Sequence, residues 1–128
     1  MNVKNKMPES RFGYSTPLYA ETIRFYKDVL QLEVYNSWDR GAYDRGTIFK
    51  SPNGAGLLEI EEGRKAPVIT NASLYIEVEN IEQLYEKTVQ QGIRMIQYIT
   101  NTSFGHRSFK FEDPNKLVIG FFEYLNID

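Results

Sequence analysis

Apolar and polar positions along this chain fall into two successive runs of the same kind. In residues 72–78, Leu74, Ile76 and Val78 alternate with Ser73, Tyr75 and Glu77. That is the two-residue period of a half-buried strand. Ile81, Leu84, Tyr85 and Thr88 then recur at helical spacing and predict a helix with one apolar stripe. Asn80 precedes it and Gln83 stands three residues on, as in a capping box. Gly92 suits the position just past the helix end. Strands are predicted at 93–99, 107–112 and 117–124.

The first half has the same order. Residues 11–16 read as a strand stopped by Pro17. A helix is predicted over 20–30, with Ile23, Tyr26 and Leu30 on one face and Val29 beside them. Strands follow at 32–35, 43–51 and 56–61, and residues 36–41, with the only tryptophan, Trp38, read as a loop. The last two strands join across Pro52-Asn53-Gly54 as a hairpin. Pro52-Asn53 before Gly56-Leu57-Leu58-Glu59-Ile60 matches Pro114-Asn115 before Leu117-Val118-Ile119-Gly120-Phe121. A period of about sixty residues indicates two copies of one supersecondary unit. The fold class is therefore α+β: two βαβββ modules, at about residues 10–62 and 71–125, in one domain spanning 1–128. The polar linker 63–70 is too short to separate independent domains. Paired units are expected to leave a cleft lined by matching positions.

Composition removes several function classes. With no cysteine, disulfides, thiolate metal sites and a cysteine nucleophile are excluded, and a reducing cytoplasm fits. A net charge of -2 without a basic cluster argues against a nucleic-acid partner. No apolar run is long enough to span a membrane, and the basic residues at the start are not followed by a signal-peptide core. No nucleophile elbow or phosphate-binding glycine loop is present.

Three segments together resemble the vicinal oxygen chelate superfamily. They are Phe25-Tyr26-x-x-Val29-Leu30-x-Leu32, Tyr75-Ile76-Glu77-Val78-Glu79-Asn80-Ile81-Glu82, and Phe111-Glu112-Asp113-Pro114-Asn115. That group includes glyoxalase I, extradiol dioxygenases, fosfomycin-resistance proteins and bleomycin-binding proteins. The resemblance covers about residues 11–124. It implies modules whose mixed sheet curves around a cleft, usually completed by a homodimer. It also implies four positions where metal-dependent members carry ligands. These fall on Arg11, Glu59, Ser73 and Gly120.

Only Glu59 of these four is an ordinary metal ligand. Arg11 is a permanent cation without a free lone pair, Ser73 is a poor donor, and Gly120 has no side chain. A divalent site needs several converging N or O donors. No metal and no cofactor are therefore expected. Arg11 is expected to pair with Glu59 in the metal's stead, with a fraying, solvated Arg11 as the alternative. The sole histidine, His106, reads as a solvated loop residue beside Gly105.

Strand alternation populates the cleft. Arg11, Gly13 and Ser15 share one face, Glu59 lies with Leu57 and Glu61, Ser73 lies with Tyr75 and Glu77, and Gly120 lies with Val118 and Phe122. Small residues leave room while Tyr75 and Phe122 supply flat apolar surface, a mixture suited to an organic small molecule. Trp38 and Phe49 are further wall candidates. Arg107 is a candidate anion contact, with a surface role as the alternative. The expected function is metal-independent small-molecule binding, similar to the bleomycin-resistance branch. The alternatives are a metal-dependent lyase, isomerase or dioxygenase, and a scaffold without a ligand. A homodimer is the expected assembly.

Overall fold

The computed structural model describes residues 8–52 and 54–126. The basic start of the chain and the turn residue Asn53 lie outside them. The chain divides after Pro67 into two compact units.

The first unit runs β1 (Phe12–Thr16), α1 (Tyr19–Arg24), β2 (Glu33–Asp39), β3 (Arg45–Lys50) and β4 (Gly56–Glu62). Its four-stranded sheet has the order β1-β4-β3-β2. β1 runs parallel to β4 and the other pairs are antiparallel. The predicted helix is present, but its second half, Phe25–Val29, is a π-helical turn. There the Leu30 amide donates to the Phe25 carbonyl at 3.0 Å, one residue beyond the α-helical spacing. The wider turn accompanies an unusual demand: the adjacent rings of Phe25 and Tyr26 are both buried, 5.1 Å apart and perpendicular. Tyr26 continues onto Phe49 at 5.7 Å, and Leu58 and Ile60 complete this core.

The predicted loop at 36–41 is a correction. β2 continues to Asp39, with Trp38 opposite Gly46 and Asp39 opposite Arg45. The strand pairs on one side only, so Asn36 and Ser37 stay exposed and look like loop residues in the sequence. The turn comes later and is held by Arg40–Asp44 and Arg45–Asp39 ion pairs, both at 3.0 Å.

The second unit has the same order: β5 (Ser73–Glu77), α2 (Ile81–Gln90), β6 (Met95–Asn101), β7 (His106–Glu112) and β8 (Val118–Tyr124). Its sheet order, β5-β8-β7-β6, repeats the first, with β5 parallel to β8. Phe109, Phe111 and Phe121 are fully buried, with ring centres 5.4–5.8 Å apart. The Asp113-Pro114-Asn115 motif is a turn tied by its own side chain: Asp113 Oδ1 accepts the amides of Asn115 at 2.8 Å and Leu117 at 2.9 Å.

The capping box on α2 is not formed. Asn80 sits in the left-handed region, at φ 58°, and its side chain makes no cap hydrogen bond. The carboxylate of Glu123, on β8, accepts the Asn80 and Ile81 amides instead, at 3.3 and 3.4 Å. An anion there also complements the helix dipole. Among the described residues, no helix is long and apolar enough to cross a membrane.

Candidate functional site

β7 alternates cleanly. Arg107, Phe109 and Phe111 point one way, and the two phenylalanines enter the core. His106, Ser108 and Lys110 point the other way, toward a pocket of about 370 Å³ within the second unit. β8 adds Gly120, Phe122 and Tyr124 to this face, β5 adds Tyr75 and β6 adds Gln97. Thr102 and Phe104, from the β6–β7 loop, form its rim.

The ring of Tyr75 lies flat on Gly120. A β-carbon at residue 120 would stand 2.6 Å from a Tyr75 ring carbon, so only glycine admits this pose. Lys110 holds the outer end of the ring, with Nζ 3.3 Å from the phenolic oxygen and 5.2 Å from the ring centre. The Lys110 hydrogen bond, and then one from Ser73, pulls the Tyr75 phenol below its usual range.

At the other end His106 packs among aromatic rings: Phe122 at 5.1 Å, and Phe104 and Tyr124 each at 6.1 Å. Thr102 Oγ1 donates to the His106 carbonyl at 3.0 Å and lies 3.1 Å from His106 Nδ1. Between the two ends, Gln97 Nε2 donates to Ser108 Oγ at 3.1 Å and to the Ser108 carbonyl at 3.3 Å. The arrangement offers flat apolar walls with a few fixed polar groups.

The structure places the sequence-derived residues as follows. Tyr75, Gly120 and Phe122 meet in this pocket. Ser73 is opposite Val118 at the start of β5 and is not among the lining residues. Arg11 and Glu59 belong to the first unit and form the expected pair, Nη1 to Oε1, at 2.8 Å. Arg11 also bonds Glu9. Partial desolvation opposes its charge, but Glu59 and Glu9 outweigh this and raise its pKa. Beside it, desolvation and then Glu59 push the Glu61 carboxyl above its usual range. Trp38 also lies in the first unit, where its ring covers Gly46 at 2.1 Å from a would-be β-carbon.

Two candidates need correction. Phe49 is fully buried opposite Leu58, on the helix side of its sheet, and is a core residue. Arg107 lies on the α2 side of β7, where it bonds Glu82 and, at 3.0 Å, Asn101 Oδ1. It is therefore turned away from the pocket. The sequence reading missed His106, Ser108 and Lys110. The period of two in residues 106–111 carried the signal, because Phe109 and Phe111 fix the opposite face as core.

The model of the Glyoxalase/Bleomycin resistance protein/Dioxygenase superfamily matches residues 10–121. The chain belongs to this superfamily. Solved structures agree on the glyoxalase-like fold. YycE of Bacillus subtilis, described as a protein of unknown function, is 25% identical, with a TM-score of 0.69 over 94% of this chain and 90% of that one. A protein of unknown function from Agrobacterium tumefaciens is 21% identical, with a TM-score of 0.72 over 94% and 97%. A glyoxylase/bleomycin resistance protein/dioxygenase domain from Frankia is 14% identical, with a TM-score of 0.71 over 94% and 99%. No curated protein matches the chain.

Proposed function

We propose that this protein binds a small, partly aromatic organic molecule in the pocket beside β7 and β8, and that it does so without a metal ion. The observation that carries this reading is Tyr75 lying on Gly120. At the position where metal-using relatives are expected to present a last-strand carboxylate, this chain has no side chain, and an aromatic ring covers the backbone. Of the other three such positions, Ser73 is a weak donor, Arg11 is a cation, and Glu59 is held by Arg11. Among the described residues, no group of three His, Asp or Glu side chains is placed to hold a metal ion. The donor set does not fit a divalent ion.

The walls suit a planar ligand instead. Offset or edge contacts with rings such as Phe122 and Tyr124 contribute about 0.5–1.5 kcal/mol each beyond area burial. YycE is also described as a candidate glyoxalase or fosfomycin-resistance protein, which is compatible with small-molecule recognition.

The test combines metal analysis of protein purified without chelator with a thermal-shift screen of aromatic small molecules. The expected result is far less than one divalent ion per chain and a melting point raised by some ligands. At about 100-fold excess over Kd, binding adds about 2.7 kcal/mol, or several degrees for a domain of this size. Phe122→Ala should remove that shift. One tightly held divalent ion per chain, lost in Glu59→Ala, would overturn the reading in favour of a metal-dependent enzyme.

A further inference from the structure

We infer that the molecule taken by this pocket is an aromatic anion, with its ring against His106 and Phe122 and its charged group at Lys110. The inference rests on the pocket reading above and specifies its ligand. The first observation is the state of Lys110. Arg11, Arg40, Arg45, Lys50, Arg94 and Arg107 each sit within ion-pair distance of a carboxylate. Lys110 has no such partner among the described residues; the exposed Arg24, Lys27, Arg64, Lys65 and Lys116 have none either, but of these only Lys110 lines the pocket, where its hydrogen-bond partner is the neutral phenol of Tyr75. An ammonium at the wall of a pocket, left without a counter-charge, attracts one from solution. Glu112, two residues along the same face, is turned to Arg94 at 3.7 Å and does not fill that role.

The second observation is the separation of the pocket's ends by chemistry. Lys110 and the Tyr75 hydroxyl form a donor pair at one end. The ring cluster around His106 forms the other. Ser108, between them on β7, accepts a hydrogen bond from Gln97 and carries no charge. A ligand that uses both ends needs a ring and an acceptor with negative charge on one molecule. Carboxylate, sulfonate and phosphate share that chemistry.

Two dyes test this, because they differ in the charged group: 1-anilinonaphthalene-8-sulfonate and the uncharged N-phenyl-1-naphthylamine. In fluorescence titrations the anion should bind the wild-type protein more tightly than the neutral dye. Lys110→Met should weaken the anion about tenfold or more and leave the neutral dye within about twofold. Lys110→Arg should keep most of the affinity. Phe122→Ala should weaken both dyes. Benzoate should displace the sulfonate dye, and inorganic phosphate at equal concentration should not. If Lys110→Met fails to fold, a salt series on the wild-type protein decides. Raising ionic strength from about 0.05 to 0.5 M should weaken only the anion, through screening. Equal binding of both dyes, unaffected by salt and by Lys110→Met, overturns the anion assignment and leaves the pocket reading standing. Absence of both dyes from the pocket, or binding untouched by Phe122→Ala, overturns the pocket reading itself.

Discussion

Single residues carry this site through glycine. Gly120 admits the ring of Tyr75, and Gly46 admits the ring of Trp38. In both, a ring rests on bare backbone, and the residue that looks least chemical in the sequence decides what the face can hold. The Arg11–Glu59 pair is a weaker device. Its side chains are 37% and 24% exposed, so its contribution to stability is well under about 1 kcal/mol. Glu61 gives a sharper test. Its carboxyl is held above the usual range by desolvation and by Glu59. A raised folded-state pKa contributes stability that is fully present below the unfolded-state value and is lost as pH rises through the folded value. At neutral pH the charged Glu61 therefore opposes folding. Glu61 is exposed and solvent screens the effect, so Glu61→Gln should stabilise the protein only slightly at pH 7, and by less near pH 4, below the raised native value. Urea midpoints at the two pH values would measure this, and an equal gain at both would contradict it. Some of this scale was legible in the sequence. Alternation put Tyr75, Gly120 and Phe122 on one face correctly, because apolar neighbours mark the opposite face. Phe49 misled for a definite reason. Thr47, Ile48 and Phe49 are all buried, so hydropathy sets no parity in β3, and only the pairing with Leu58 shows which way Phe49 points.

Elements were legible where their period was regular and illegible where a distant residue finishes them. The alternation of β5 and the stripe of α2 predicted both within a residue or two. The end of β2 did not show, because an edge strand has one partner and tolerates polar residues. The α2 cap did not show either. Asn80 and Gln83 have the residue types of a capping box, but Asn80 adopts the left-handed conformation and its side chain makes no cap hydrogen bond. The acceptor is Glu123, which is far away in sequence and brought there by the β5–β8 pairing that places β8 next to the strand leading into α2. Glu123→Ala should cost about 0.5–1 kcal/mol, the low end for a cap because both bonds are long. The loss should be concentrated in α2. Amide exchange should rise at Asn80, Ile81 and the first helical turn, while Phe109 and Phe121 in the sheet core keep their protection. A uniform rise across the second unit would show that Glu123 supports the sheet rather than the helix.

At the scale of the whole molecule, the repeat was the most legible feature. Two units with the same element order and the same strand order follow from a sequence that states one pattern twice. The assembly is a separate question, and the exposed side chains of β6 bear on it. Met95–Asn101 is an edge strand with no charged residue and no proline, the devices that commonly keep edges from associating. It exposes Tyr98 at 72% and Ile96 at 46%. Its register with β7 shifts twice, which discourages simple strand addition but leaves these side chains available. A stable dimer needs roughly 800 Å² from each partner, more than two side chains supply, so a contact here has to extend to neighbouring surface. A two-fold dimer is therefore expected in solution, with β6 within the contact. Sedimentation velocity of the wild-type protein should give a dimer at micromolar concentration. Tyr98→Lys, which places a like charge from each copy at the two-fold contact, should shift it to monomer without lowering the melting point of the monomer's own fold. A wild-type protein that sediments only as monomer would remove the dimer. A dimer that persists unchanged in Tyr98→Lys would move the contact to another surface.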